Sequence, residues 1–173
     1  LDRAPDGPTL VIAPTSVCMN WEQEAARFAP TLTILSLSNA EERKGTIENL
    51  GRRDILITSY TLLQQEIDLL DQVDWQTVVL DEAQSIKNAA TKRSKAAMRL
   101  KAKFRLITTG TPIENHLGEL WNLFNFINPG LLGTYKQFNA RFGIPIEKHG
   151  DRTARRQLKK LIRPFMLRRI KSQ

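Results

Sequence analysis

Two adjacent carboxylates, Asp81 and Glu82, close the run Trp75-Gln76-Thr77-Val78-Val79-Leu80. Side by side and partly shielded from bulk water, such a pair suits two tasks. One acid can hold a hydrated divalent cation, and the other can orient a water for attack on a phosphate. The residues before them are continuously apolar rather than alternating, the pattern of a strand buried on both faces of a parallel sheet. Ligands bind off the carboxyl ends of such strands. Acids there meet a ligand instead of the core, where an unpaired charge would be very costly. The alternative for Asp81 alone is that it caps the helix that follows.

The elements that must position these acids can be read on either side. Thr9–Ala13 is an apolar strand stopped by Pro14. Thr15 and Ser16 offer caps for a helix over about residues 17–28, which ends before Pro30. A strand over 31–37 and a charged helix over 40–50 follow. A third strand, 54–57, finishes in Thr58-Ser59-Tyr60, and helical spacing resumes over 62–70. The stretch 75–84 holds the central strand, and 91–102 a helix with basic residues on its outer side. A fifth strand, 104–108, closes on Thr109-Gly110-Thr111-Pro112. This alternation predicts an α/β fold with an open parallel sheet and helices on both faces. From Leu117 strand signals stop. Leu117, Leu120, Leu123, Phe124 and Ile127 form a helical stripe broken at Asn128-Pro129-Gly130. Helices over 135–142 and 151–162 are expected beyond it, joined by a loop through Gly143, Pro145 and Gly150. The expected division is a sheet-bearing lobe over 1–115 and a short helical appendage over 116–173.

Length and composition narrow the class. The 173 residues form one domain by length, with 41% hydrophobic and 25% charged residues, as in soluble globular proteins. No apolar run approaches membrane-spanning length, and the first residues do not read as a secretory signal. Cys18 is the single cysteine, which excludes internal disulfides and thiolate zinc sites and points to a reducing, cytoplasmic setting. His116 and His149 are too far apart to give metal-ligand spacing. The net charge of +8 is unevenly placed: residues 1–86 carry 6 basic and 14 acidic side chains, and 87–105 carry 8 basic and none acidic. Residues 136–173 carry 12 basic against 2 acidic. Two basic blocks on an acidic body suggest a polyanion-facing surface, the alternative on charge alone being a solvated helix face plus a basic tail. Without interleaved aromatics, contacts to phosphates rather than bases are expected.

A resemblance carries the reading further. VVLDEAQSIKN, then LITTGTPIEN and GELWNLFNFINP, resemble the Swi/Snf family of superfamily-two helicase-like, DNA-dependent ATPases. APTSVCMNWEQE and ITSY are similar to that family's DNA-contacting motifs, and RPFMLRRIK to the segment joining its first lobe to its second. The likeness runs from Leu10 to Lys171. It implies a RecA-like first motor lobe that uses ATP and Mg²⁺ on double-stranded DNA. Asp81 would hold Mg²⁺ through its water shell and Glu82 would activate the hydrolytic water. Gln84, Gly110 and Thr111 would couple the nucleotide to the DNA track. Pro14, Thr15, Ser16, Thr58 and Ser59 would contact one DNA backbone. Gln84 departs from the more usual His of the family box. Trp21 and Trp121 read as core residues, and Arg168 and Arg169 as part of the lobe junction.

No G-x-x-x-x-G-K-[ST] stretch occurs in the 173 residues. The family places that phosphate loop upstream of the Thr9 strand and further catalytic arginines in a second lobe. The expectation is therefore a piece of the first lobe lacking the P-loop strand and inactive by itself. It would work beside a second motor lobe of the same parent chain. Its strand at 104–108 would be a bare edge open to homodimer pairing. The short appendage suits a bacterial or archaeal source, with association to the nucleoid if bacterial. The alternatives are a strand-separating helicase of another branch and a DNA-binding scaffold that hydrolyses nothing. A two-metal nuclease lacks the extra carboxylates it would need.

Overall fold

The computed structural model describes residues 7–37, 39–110 and 116–167. Five strands form one sheet: β1 (Thr9–Ala13), β2 (Thr33–Ser36), β3 (Asp54–Ser59), β4 (Asp74–Leu80) and β5 (Lys101–Ile107). All neighbours pair in parallel, in the order β2-β3-β1-β4-β5. The register aligns Ile12 with both Thr58 and Leu80, and Leu80 with Ile107. The carboxyl ends of β1, β3, β4 and β5 therefore finish level, so the polar residues that follow them share one rim.

The alternating direction of strand side chains divides the apolar residues between two faces. Leu10, Ile12, Leu56, Val78 and Leu80 belong to the larger core. Val11, Ile57 and Val79 belong to a smaller cluster on the other face. The smaller face is covered by α1 (Thr15–Phe28), through half-buried Cys18 and Trp21. Onto the larger face pack α2 (Arg43–Glu48), α3 (Tyr60–Leu70), α4 (Lys92–Arg99) and one side of α5 (Leu117–Ile127). α3 buries Tyr60, Leu63, Ile67 and Leu70, whereas α1 buries no residue. Full burial of a large apolar side chain is worth about 1.5–3 kcal/mol, so α3 is anchored and α1 only leans on the sheet.

Past α5 come α6 (Tyr135–Phe138), a π-helical turn (Asn139–Gly143), α7 (Ile144–His149) and α8 (Arg152–Ile162). They enclose a second core around Leu120, Phe124, Phe138, Phe142 and Leu158. α5 belongs to both cores, with Leu123 and Phe126 on the sheet side and Leu120 and Phe124 on the helical side. Buried Asn122 fastens it, donating to Ile86 O (2.5 Å) and Ser94 Oγ (2.9 Å).

Several expected boundaries move. α1 starts at Thr15 behind Pro14, with no side-chain cap, so the Thr15 and Ser16 hydroxyls stand in the first turn instead of capping it. β3 runs on through Thr58 and Ser59, and Ser59 Oγ caps α3. The expected loop through Gly143 and Pro145 is helical. Pro145 lies in the first turn of α7, where its missing N–H costs nothing, and the chain turns only at Gly150 (φ 62°). The helix expected over 91–102 ends at Arg99, because β5 begins at Lys101.

Candidate functional site

Asp81 and Glu82 follow β4 directly, and the backbone carries them onto the rim. Asp81 N–H donates to Ile12 O (2.8 Å), Thr108 N–H to Leu80 O (2.9 Å), and Ala83 N–H to Thr108 O (2.9 Å). Ladder-like bonds thus continue one residue beyond the strands and hold residues 81–83 beside 108. Glu82 then takes a left-handed conformation (φ 50°, ψ 53°), the one non-glycine residue with positive φ among the described residues. Such a backbone costs a residue with a Cβ of order 1 kcal/mol and collects at functional sites.

Asp81 is held from both faces of the sheet. From the α1 face, Trp21 Nε1–H donates to Asp81 Oδ2 (2.8 Å). From the α3 face, Tyr60 O–H donates to the Asp81 carbonyl (2.7 Å). Asp81 Oδ1 accepts from the Glu82 N–H (2.9 Å) and from the Thr108 hydroxyl. Burial pushes the Tyr60 phenol well above its ordinary value; the Asp81 and Glu82 carboxylates add to the rise and Arg93 opposes it. The phenol is therefore a permanent donor at neutral pH.

Glu82 is tied to the loop after β5. Gln84 Nε2 donates to Glu82 Oε2 (2.6 Å), the Thr109 hydroxyl donates to Gln84 Oε1 (2.9 Å), and the Gly110 N–H reaches Glu82 Oε2 at 3.5 Å. Asp81, Glu82, Gln84 and Gly110 thus form one cluster. Thr111, like Pro112, Arg168 and Arg169, lies outside the described residues.

The five residues expected at DNA divide in two. Thr15 and Ser16 are exposed and Pro14 is half-buried at the start of α1. Thr58 (2% exposed) and Ser59 (6%) are buried; Thr58 Oγ1 has no hydrogen-bond partner and Ser59 Oγ is spent on the α3 cap. Trp121 packs in the helical core and donates to Gly133 O (3.0 Å), in line with a structural role. Trp21, Tyr60 and Thr108 are the site residues that sequence reasoning did not assign. Trp21 meets Asp81 across 60 positions, and no local pattern marks that contact. The available hint was an indole two turns into a helix whose side chains lean toward its N-terminus, and so toward the rim.

A hydrated divalent cation fits this donor set. Asp81 Oδ1 already accepts two hydrogen bonds, whereas Oδ2 accepts one and keeps a lone pair. Among the described residues, no group of three His, Cys, Asp or Glu side chains could hold a metal ion. An ion here would take most of its ligands from water and phosphate, which is the habit of Mg²⁺.

A five-stranded parallel sheet flanked by helices, with an acid pair on its carboxyl rim, is the RecA-like fold of an ATPase core. The chain belongs to the SNF2-related domain family, which matches residues 2–173. It is 45% identical over 166 residues to the putative ATP-dependent helicase/translocase YwqA of Bacillus subtilis, covering 95% of this chain and 18% of that protein. It is 37% identical over 176 residues to the TATA-binding protein-associated factor mot1 of Schizosaccharomyces pombe, covering 95% of this chain and 9% of that one. The Sulfolobus solfataricus SWI2/SNF2 ATPase core in complex with dsDNA superposes with a TM-score of 0.85 at 46% identity, over 96% of this chain and 34% of that one. The chain thus spans less than a fifth of the length of either curated relative.

Proposed function

We propose that this chain supplies part of the first motor lobe of an ATP-dependent double-stranded-DNA translocase, with Asp81 facing Mg²⁺ and Glu82 the hydrolytic water. The observation that carries the reading is the rim cluster itself, in which both acids, Gln84 and the loop after β5 are joined by hydrogen bonds. Mg²⁺, when bound, would neutralise charge on the phosphate oxygens. The chain's own residues supply orientation. Trp21, Thr108 and Tyr60 hold Asp81, and Gln84 holds Glu82 through Oε2, with both carboxylate oxygens beside Gly110. Gln84, Gly110 and Thr111 are the residues we assign to coupling between nucleotide and DNA.

Double-stranded DNA is the partner in the superposed Sulfolobus complex. Two features support the same partner here: the exposed Thr15 and Ser16 at the start of α1, and the cationic face of α8. Thr58 and Ser59, being buried, would act there through the backbone at the start of α3. The second motor lobe of a parent chain is the other partner in this reading. The outer strand β5, which pairs only with β4 among the described residues and exposes Phe104 (57%) and Leu106 (44%), is where a second copy would add. Leu106→Lys should then abolish concentration-dependent association in sedimentation, and a wild-type chain monomeric at high concentration would rule the pairing out.

With no phosphate-cradling glycine loop in its 173 residues, this chain by itself should not turn over ATP. The decisive test is Glu82→Gln in the full-length protein. DNA-stimulated turnover should fall by roughly 100-fold or more while nucleotide binding persists. Undiminished turnover would remove Glu82 from its assigned role.

A further inference from the structure

Asp81 stands out in the sequence as an acid at a strand end, but what aims its carboxylate is a residue 60 positions away. We propose that Trp21 is a positioning residue for Asp81: its indole N–H occupies one lone pair of Oδ2 and so directs the remaining one at the cation site. This rests on the reading of Asp81 as the ion-facing acid. Three observations carry it.

The first is the hydrogen-bond count at the carboxylate. Oδ1 is filled by Thr108 and by the Glu82 N–H, so Oδ2 is the oxygen left to meet an ion or its water, and Trp21 is what holds Oδ2 at 2.8 Å. The second is the site's one-sided support. The opposite helix grips Asp81 only at its carbonyl, through Tyr60; Thr108 and the Glu82 N–H fix Oδ1, which leaves Trp21 as the partner of Oδ2 among the described residues. The third is the nature of α1, which buries no residue and leaves Met19 (66%) and Phe28 (70%) exposed. Packing alone fixes this helix weakly, so the indole contact places the helix as well as the acid. α1 also begins at Thr15 and Ser16, the exposed hydroxyls of the DNA reading, so the contact joins the two ends of the proposed machine.

Removing a partner that orients a metal ligand typically weakens metal binding 10–100-fold. The test uses Mn²⁺ as a paramagnetic stand-in for Mg²⁺, titrated into the ¹⁵N-labelled chain while broadening of the Glu82 and Thr108 amide signals is followed. In the unaltered chain both signals should broaden, and Asp81→Asn should remove the effect. Trp21→Phe keeps the ring and loses the N–H. It should raise the Mn²⁺ concentration at half-broadening about tenfold, with the chain still folded and the response of exposed Glu48 unchanged. Half-broadening at the wild-type concentration in a folded Trp21→Phe chain overturns the proposal and leaves Asp81 as the ion site. No Asp81-dependent broadening in the unaltered chain overturns the Asp81 reading, and this inference with it. Should the Phe variant fail to fold, the indole signals decide. Asp81→Asn must shift the Trp21 N–H and speed its exchange, while those of Trp75 and Trp121, bonded to Leu70 O and Gly133 O, stay put. An unmoved Trp21 signal overturns the proposal.

Discussion

Tyr60 O–H and the Asp81 carbonyl form a bond that is both a structural tie and a source of pH dependence. Tyr60→Phe deletes a buried hydrogen bond and should cost about 1 kcal/mol at neutral pH. In the unfolded chain the phenol ionises near pH 10. In the folded chain burial, aided by the two acids, holds it protonated beyond that. Above pH 10 the unfolded state therefore binds fewer protons than the folded one, and stability falls as pH rises. The Phe variant is spared this fall, so urea denaturation should show the gap between the two proteins narrowing from pH 9 to pH 11; a constant gap would mean that the phenol titrates normally. The place of Asp81 and Glu82 at the end of a buried strand was legible because a continuous apolar run stops abruptly at two acids. Trp21 and Tyr60 were not, since their roles arise from helices packing on opposite faces of one strand.

At the scale of elements, burial separates α1 from α8. α1 buries no residue. α8 buries Ala154, Leu158 and Ile162 and exposes Arg152, Arg155, Arg156, Lys159 and Lys160, and exposed Arg163 follows at its C-cap. No carboxylate among the described residues pairs with any of these cations. Arg152, Arg156, Lys159 and Arg163 run along one line of the helix for about 16 Å, a geometry suited to successive phosphates. Replacing those four by Gln should lower the slope of log affinity against log salt for duplex DNA by about 0.9 for each phosphate left without its cation. Anisotropy of a labelled duplex across a KCl series measures it, and an unaltered slope would make the face merely solvated. The basic block was visible in the sequence, whereas its confinement to one face needed the helix. The turn at Gly143 and Pro145 misled for a local reason. Both residues punctuate loops, but a π turn followed by proline in a first helical turn lets the chain stay coiled.

For the whole molecule, the strand–helix alternation was enough to foresee a parallel sheet. The intimacy between lobe and appendage was not foreseen, because a stripe at helical spacing does not reveal how many partners it faces. α5 serves two hydrophobic interiors at once, with Asn122 pinned beneath it to Ile86 and Ser94. Dissection between residues 115 and 116 would strip Leu123 and Phe126 from one piece and leave the other with an open flank. Heat should meet the same obstacle, dissolving both interiors in one calorimetric step, because neither can melt while its neighbour still grips the helix they share.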